Sequence, residues 1–164
     1  LTGELNRVGM EAMARRVLAR AAPGRQAVAV VMVDADLFKA INDRHGHLAG
    51  DRVLVHLAGI LAAQVRPGDL VIRYGGEEFV LLLDGSDLAA AGAVAERLRA
   101  LIEAGSVSQT GGDIRYTVSI GVACSSIAGY ALETLLARAD AALYRAKQRG
   151  RNQVCLDEDA QAPR

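Results

Sequence analysis

Short apolar runs alternate with helical patterns along this chain, and their order predicts a sheet covered by helices. Apolar side chains recur at helical spacing in segments 5–20, 53–61, 89–102 and 132–148, which predicts four helices. Continuous or alternating apolar runs predict strands at residues 27–33, 70–72, 79–83, 114–122 and 154–156. This order fits one α/β sandwich, with a central, mostly antiparallel sheet and helices on both faces.

Glycine-rich and polar segments separate these elements. The pair Gly75-Gly76 between two strands predicts a hairpin, because both residues accept positive φ. Residues 42–50 are rich in Asn, Asp, His and Gly and are predicted to form a loop, whereas 114–122 alternate like a half-exposed strand. Residues 157–164 are predicted to be a mobile tail. With no repeat and no internal linker, we expect one domain over residues 1–156.

Composition narrows the class of protein. The 164 residues are 51% hydrophobic and 23% charged, which excludes a disordered chain. Nineteen basic and nineteen acidic residues cancel, which argues against a nucleic-acid-coating protein and against a polybasic membrane binder. The longest apolar runs are too short to span a bilayer. Cys124 and Cys155 are too few for a disulfide framework, so a reducing, cytoplasmic compartment is expected.

Two acidic pairs lie at the ends of predicted strands. Asp34 and Asp36 follow the first strand, and Glu77 and Glu78 lie at the hairpin. For any one of them, a solvated turn is the simpler interpretation. If the two strands are neighbours, however, Asp34 and Glu77 converge. Converging carboxylates favour a hard cation such as Mg²⁺, which takes phosphate oxygens or waters in its remaining positions.

Basic side chains accompany these acids. Seventeen of the nineteen basic residues are Arg, and the only lysines are Lys39, five residues after Asp34, and Lys147. Lys147 and Arg151 flank the end of the last predicted helix. Charge pairing with the helix dipole and a glycine cap would explain this pair, and a phosphate-bearing ligand would explain it as well. Asp51 either caps the following helix or accepts hydrogen bonds from guanine N1–H and N2–H₂.

Other motifs add little. No Walker loop, G-x-G-x-x-G segment, serine nucleophile elbow or zinc-ligand spacing is present, so phosphate handling must rest on carboxylate-held metal and basic side chains. His45 and His47 lack metal-ligand spacing and are interpreted as loop structure. Pro67 and Gly68 predict a type II turn, which leaves the flanking Arg66 and Asp69 unexplained.

Six segments, taken together, resemble the GGDEF domains, the diguanylate cyclases. Residues 73–79, RYGGEEF, are similar to the family signature in its GG[DE]EF form. The others are LTGxLNR at 1–7, DxDxFKxIND at 34–43, GHxxGD at 46–51, TVSIG at 117–121 and ADxALYxAKxxGRN at 139–152. The resemblance covers residues 1 to about 155. Glu4, Ala35 and Leu37 depart from the family pattern, but none of these departures removes a functional group.

The resemblance implies a palm-like fold, shared with adenylyl cyclases and many polymerases, and the condensation of two GTP into cyclic di-GMP with release of two pyrophosphates. The implied metal site, for Mg²⁺ or Mn²⁺, consists of Asp34, Glu77 and the main-chain carbonyl of Ala35. Glu77 or Glu78 would assist deprotonation of the ribose 3′-OH. Implied nucleotide-binding residues are Asn42 and Asp51 for guanine, Lys39, Lys147 and Arg151 for the triphosphate, and Gly75 and Gly76 for close backbone approach. Arg66 and Asp69 match the family's R-x-x-D inhibitory product site, with Arg97 as a second contact.

The same resemblance implies partners. Each domain would hold one GTP, so two copies must face each other about a two-fold axis. The chain begins at Leu1, and we expect it to be a fragment of a longer bacterial protein with an N-terminal sensor or receiver domain, through which the full-length protein could be anchored in a membrane. No nucleic acid or membrane contact is expected of this domain. The alternative is a catalytically silent module that binds GTP or cyclic di-GMP; the intact Gly75, Gly76, Asp34 and Lys39 favour the enzyme.

Overall fold

A five-stranded sheet organises the chain in a computed structural model that describes residues 7–158. The strands are β1 (Val28–Ala35), β2 (Leu70–Arg73), β3 (Glu78–Asp84), β4 (Val118–Cys124) and β5 (Val154–Leu156). The helices are α1 (Arg7–Ala21), α2 (Phe38–His45), α3 (His47–Gln64), α4 (Leu88–Ala104), α5 (Ser125–Ala128) and α6 (Leu132–Gln148). The sheet order is β2-β3-β1-β4-β5, with antiparallel pairs throughout except for the parallel pair β4–β5. This confirms the predicted mostly antiparallel sheet.

Both faces of the sheet are covered. Alternate side chains of a strand point to opposite faces. Ala29, Val31 and Val33 of β1 therefore pack in one core with α3 and α4, while Val30 and Met32 pack in a second core with α1 and α6. The fully buried, Val-rich sequence of β1 follows from this double cover. Within residues 7–158, no helix is long and apolar enough to cross a membrane.

Helix α6 lies unusually close to the sheet. A Cβ built on Gly121 of β4 would overlap the backbone of Ala139 and would lie 2.9 Å from the Cα of Leu143, so only glycine fits there. This close approach fixes the height of α6 above β4. It brings the last turn of the helix, with Lys147, over the carboxyl end of β1.

The prediction of a loop at 42–50 is wrong. This segment consists of the end of α2 and the start of α3, separated by Gly46 at φ +86°. Half-buried Phe38 and Ile41 pack against the core of α3 and α4, and this tertiary contact outweighs the polar composition of α2. His45 and His47 are helix ends rather than loop residues. Asp51 is the fifth residue of α3 and is not its cap.

Three further expectations differ from the structure. Strand β4 begins only at Val118 and is buried along its whole length, so the half-exposed strand from residue 114 is wrong; Ile114 instead forms an isolated bridge. Neither Gly75 nor Gly76 has a positive φ, although the hairpin forms as predicted. Asp157, predicted to begin a mobile tail, is buried and pairs with Arg138 at 2.6 Å.

Residues 1–6 and 159–164, which include the LTGxLN segment and the rest of the predicted tail, lie outside the described residues.

Candidate active site

The two acidic pairs meet because β1 and β3 are neighbours. Asp34 is the cross-strand partner of Glu78 in this antiparallel register, and cross-strand partners project from the same face of a sheet. The N–H of Ala35 donates to the main-chain oxygen of Glu77 at 3.4 Å. The expectation that the first strand and the hairpin strand are neighbours is confirmed, although the residue opposite Asp34 is Glu78.

Asp34 is a buried carboxylate among other charges. It is 6% exposed, and its Oδ2 lies 3.1 Å from Nζ of Lys147. Burial, which penalises the charged form, raises the pKa of Asp34 to about 6. Lys147 lowers this pKa, while the charges of Glu77 and Glu78 raise it further. At neutral pH Asp34 is therefore mostly ionised, but burial makes its charge less favourable, and a further cation beside it would lower its pKa.

These groups suit a hard divalent cation. Within residues 7–158 no group of three or more His, Cys, Asp or Glu side chains is arranged to hold a metal. The candidate metal ligands include only two carboxylates, those of Asp34 and Glu77, together with the carbonyl of Ala35. All three are oxygen donors of the kind that Mg²⁺ prefers. Such a set leaves several positions for phosphate oxygens. The raised pKa of Asp34 fits a bound cation, because a nearby positive charge would favour the ionised carboxylate.

Hairpin residues 73–78 fold around Glu78. The N–H groups of Tyr74 and Gly75 both donate to its main-chain oxygen, at 2.8 and 3.2 Å. A Cβ on Gly75 would lie 2.7 Å from Oε2 of Glu78, whereas a Cβ on Gly76 would meet nothing within 4 Å. Gly75 therefore makes room for a carboxylate, and Gly76 leaves the hairpin tip open.

Asp36 has a role that the sequence analysis missed. It is 6% exposed, and its carboxylate accepts hydrogen bonds from Ser119, Thr117 and the N–H of Asn152. The signal in the sequence is the alternation of two hydroxyl residues, Thr117 immediately before β4 and Ser119 within it. That alternation places two hydroxyls on one side of a buried strand, where they need an acceptor.

The predicted phosphate-binding cations lie in different surroundings. Lys147 is held by Asp34. Arg151 follows α6 at φ +65°, and in the described part of the chain its guanidinium has no hydrogen-bond or ion-pair partner. Lys39 is 89% exposed and pairs with Asp43 one turn along α2, at 2.7 Å. No contact in residues 7–158 joins Lys39 to Asp34 or Lys147.

A cleft of about 740 Å³ lies between α3 and the sheet edge, and Asp51 lines it together with Leu54, Arg73 and Phe79. Asn42, on α2, is half-buried, and its Oδ1 is buried without a hydrogen-bond partner among residues 7–158. This atom lies directly against Gly50, the residue before Asp51. The two predicted guanine-binding residues are therefore neighbours of the same glycine: Asn42 packs against Gly50, and Asp51 follows it in the chain.

The Arg66–Asp69 turn has its own structural role. Gly68 adopts φ +96° and the N–H of Asp69 donates to the oxygen of Arg66 at 3.0 Å, which confirms a type II turn. The carboxylate of Asp69 is almost fully buried and accepts from the N–H groups of Arg66 and Asp84. Arg66 is exposed. Arg97 of α4 donates to Gln64, two residues before this turn, at 2.9 Å, so it is held beside it.

Comparisons with known proteins find similar sequences and similar folds. The chain is 42% identical over 135 residues to diguanylate cyclase A of Treponema denticola, covering 82% of this chain and 36% of that protein. The GGDEF domain of PA1120 (YfiN or TpbB) from Pseudomonas aeruginosa superposes with a TM-score of 0.89 at 37% identity, covering 96% of this chain and 99% of that one. The GGDEF domain of DgcB from Caulobacter crescentus, in complex with c-di-GMP, superposes with a TM-score of 0.86 at 31% identity, covering 94% and 91%.

The curated relatives are longer proteins. The chain spans about a third of the length of those it matches first. The family model described as "Diguanylate cyclase, GGDEF domain" matches residues 1–153, so the chain belongs to the GGDEF family.

Proposed function

We propose that this domain is a diguanylate cyclase, which condenses two GTP into cyclic di-GMP and releases two pyrophosphates. The observation that carries the proposal is the buried Asp34, which lies beside the charges of Glu77 and Glu78 and faces Lys147 at 3.1 Å. A buried carboxylate whose charge is made less favourable by burial and by neighbouring acids, next to a lysine, suits a metal-bound triphosphate. Relatives named diguanylate cyclase support the reaction class.

Each residue has a proposed task. Asn42 and Asp51 bind the guanine edge, since Asp51 lines the cleft beside α3 and can accept from N1–H and N2–H₂, which adenine lacks. Lys39, Lys147 and Arg151 bind the triphosphate. Gly75 and Gly76 let the hairpin backbone approach the nucleotide. Glu77 or Glu78 accepts the proton of the ribose 3′-OH as its oxygen attacks the α-phosphate of the other nucleotide, and pyrophosphate leaves in line.

Asp34, Glu77 and the carbonyl of Ala35 would hold Mg²⁺ or Mn²⁺. When bound, such an ion supplies charge neutralisation at the transferring phosphate and a lower pKa for the attacking hydroxyl. Lys147 would bind the phosphates in place of Asp34, because its flexible side chain is one-third exposed and can reach an alternative anion.

Cyclisation needs a second copy of the domain. Each copy holds one GTP, and the two 3′-oxygens must each reach the other nucleotide, which requires a two-fold arrangement. For the isolated domain, we expect nucleotide binding but slow turnover, because two GTP-loaded domains must first encounter each other. Fusion to a dimeric coiled coil should raise turnover per domain at fixed protein concentration. An unchanged rate would contradict this expectation.

The product would inhibit the enzyme through Arg66, Asp69 and Arg97. Arg66 is exposed and can donate to guanine O6 and N7, and the Gln64 contact keeps Arg97 close to the same turn. Asp69 is almost fully buried and accepts two main-chain hydrogen bonds, so it would act by holding the turn that carries Arg66.

The test of the proposed activity is pyrophosphate release from GTP with Mg²⁺, comparing the wild type with Glu77→Ala and Glu78→Ala. Glu158→Ala is the matched control, since Glu158 is an exposed carboxylate outside the site. Loss of release in both site variants and retention in the control are expected. Release that survives both changes would contradict the proposal. GTP binding without release, even in the coiled-coil fusion, would favour the silent binding module.

A further inference from the structure

Asp36 is buried two residues beyond Asp34 and makes no contact in the proposed metal set. Its Oδ1 accepts from the hydroxyl of Ser119 at 2.6 Å, and its Oδ2 accepts from the hydroxyl of Thr117 at 2.7 Å. Oδ2 also accepts from the N–H of Asn152 at 3.0 Å, and this contact spans 116 residues of sequence. One carboxylate thus joins the end of β1, the start of β4 and the turn after α6.

The turn after α6 has an unusual backbone. Gly150, Arg151 and Asn152 have φ values of +111°, +65° and +47°. For the two residues that carry a Cβ this region is sterically disfavoured, so three such residues in a row need support from outside the turn.

Hydrogen bonds hold the backbone on both sides of the Arg151 Cα. The N–H of Arg151 donates to the oxygen of Ala146 at 3.0 Å, and the next N–H, that of Asn152, donates to Asp36. The side-chain oxygen of Asn152 accepts from Arg99 of α4 at 2.9 Å. The backbone that carries Arg151 is therefore fixed, while its guanidinium is exposed and unpaired among the described residues.

We propose that Asp36 is a positioning residue for triphosphate binding: it holds the 150–152 turn in its left-handed conformation and thereby aims Arg151 at the phosphates. The inference rests on the proposed function, which assigns Arg151 to the triphosphate. Ordering this backbone before the ligand arrives removes an entropy cost from binding. Asp36 itself touches no substrate atom.

The experiment measures affinity for two guanine nucleotides that both lack the attacking hydroxyl, 3′-deoxy-GTP and 3′-deoxy-GMP. The ratio of the two affinities isolates the contribution of the β- and γ-phosphates. In both Arg151→Ala and Asp36→Asn this ratio should fall about tenfold, which is typical of losing one charge-assisted contact. In the double variant it should fall no further than in Arg151→Ala, since Asp36 acts only through Arg151.

Ser119→Ala is the matched control. It removes a hydrogen bond from Oδ1 of the same carboxylate but leaves Oδ2 and Asn152 in place. It should lower thermal stability and leave the affinity ratio unchanged. If Asp36→Asn does not fold, Thr117→Val decides, because Thr117 shares Oδ2 with Asn152; it should lower the ratio selectively, by about two- to threefold.

The outcomes separate the inference from the proposed function. An unchanged ratio in Arg151→Ala would overturn the assignment of Arg151 to the triphosphate, and the inference with it. A lower ratio in Arg151→Ala, together with an unchanged ratio in Asp36→Asn or, failing that, Thr117→Val, would overturn the inference alone. Additive losses in the double variant would also overturn it, because they would mean that Asp36 acts independently of Arg151.

Discussion

The two ends of the proposed nucleotide site are built differently. At the phosphate end, Asp34 meets Lys147 across 113 residues of sequence, and Asp36 meets Ser119 and Asn152 across 83 and 116 residues. At the base end, Asn42 lies against Gly50 only eight residues later, within one helix–turn–helix. The phosphate end depends on buried charge and hydrogen bonds between distant elements. The base end depends on a close steric fit between two adjacent helices.

This difference has a functional consequence. Buried charges are costly unless they are paired, so the phosphate end is poised to accept a cation and anionic oxygens. The base end carries the exposed carboxylate of Asp51, which is suited to reading a polar edge, and the half-buried amide of Asn42, whose buried Oδ1 has no hydrogen-bond partner within residues 7–158. A substitution at one end should therefore leave the contacts of the other end with the nucleotide unchanged, and this independence can be tested.

The largest effect is expected from Asp34→Asn at the phosphate end. Removing a charged oxygen from the proposed metal site should lower the rate of pyrophosphate release by at least about a hundredfold, because metal-ion stabilisation of the transition state contributes several kcal/mol. GMP affinity should stay near that of the wild type, since Asn42 and Asp51 are unchanged. A parallel loss of GMP affinity, measured by calorimetry, would show that the two ends are not independent.

At the base end, Gly50→Ala should weaken GTP binding by about tenfold and reduce discrimination against ATP. The new Cβ would lie 2.9 Å from Cγ of Asn42 and 3.2 Å from Phe38, so the Asn42 amide must move. Gly24→Ala, in the turn between α1 and β1 and outside the cleft beside α3, is the control, because a Cβ there would meet nothing within 4 Å among the described residues. The control should gain about 0.4–1 kcal/mol of stability and keep its nucleotide preference. Equal preference in both variants would contradict the role of Asn42.

Arg66→Ala changes a region outside both ends. Product inhibition should weaken several-fold, because an exposed guanidinium that can contact guanine is lost, while initial GTP turnover should remain close to the wild type. Inhibition constants for cyclic di-GMP provide the measurement, with the exposed Arg16→Ala on α1 as the control. Unchanged inhibition would place the product elsewhere, including the active half-site itself.

The smallest effect concerns pH and stability. The pKa of Asp34 is about 6 in the folded protein, against an ordinary value of 3.8 for an exposed Asp, so folding takes up a proton between these values. The stability gained from the protonated form is lost as pH rises through this window. The free energy of unfolding of the wild type, minus that of Asp34→Asn, should therefore fall between about pH 4 and pH 6 and then level off. Urea denaturation without divalent metal measures this difference in the free energy of unfolding. A difference that does not change with pH would contradict the burial of the Asp34 charge.

The comparison of the two ends also explains what the sequence could predict. The strands, their neighbours and the acids at their ends follow from local patterns, because apolar runs and turn residues act over short distances. The contact of Asp36 with Asn152 could not be predicted, since it requires the height of α6 above β4, which Gly121 fixes by packing. The helical state of residues 42–45 was missed because α2 gains its stability from burying Phe38 and Ile41, and its own residues give a weak helical signal.

The central claim, that Asp34 and Glu77 share one divalent cation beneath the phosphates, has a direct test. Crystals of the domain with Mn²⁺ and 3′-deoxy-GTP should give an anomalous difference peak within coordination distance of a carboxylate oxygen of each residue and of a phosphate oxygen. The same crystals of Asp34→Asn should lose that peak. A manganese ion that contacts the nucleotide while neither carboxylate reaches it would contradict the account.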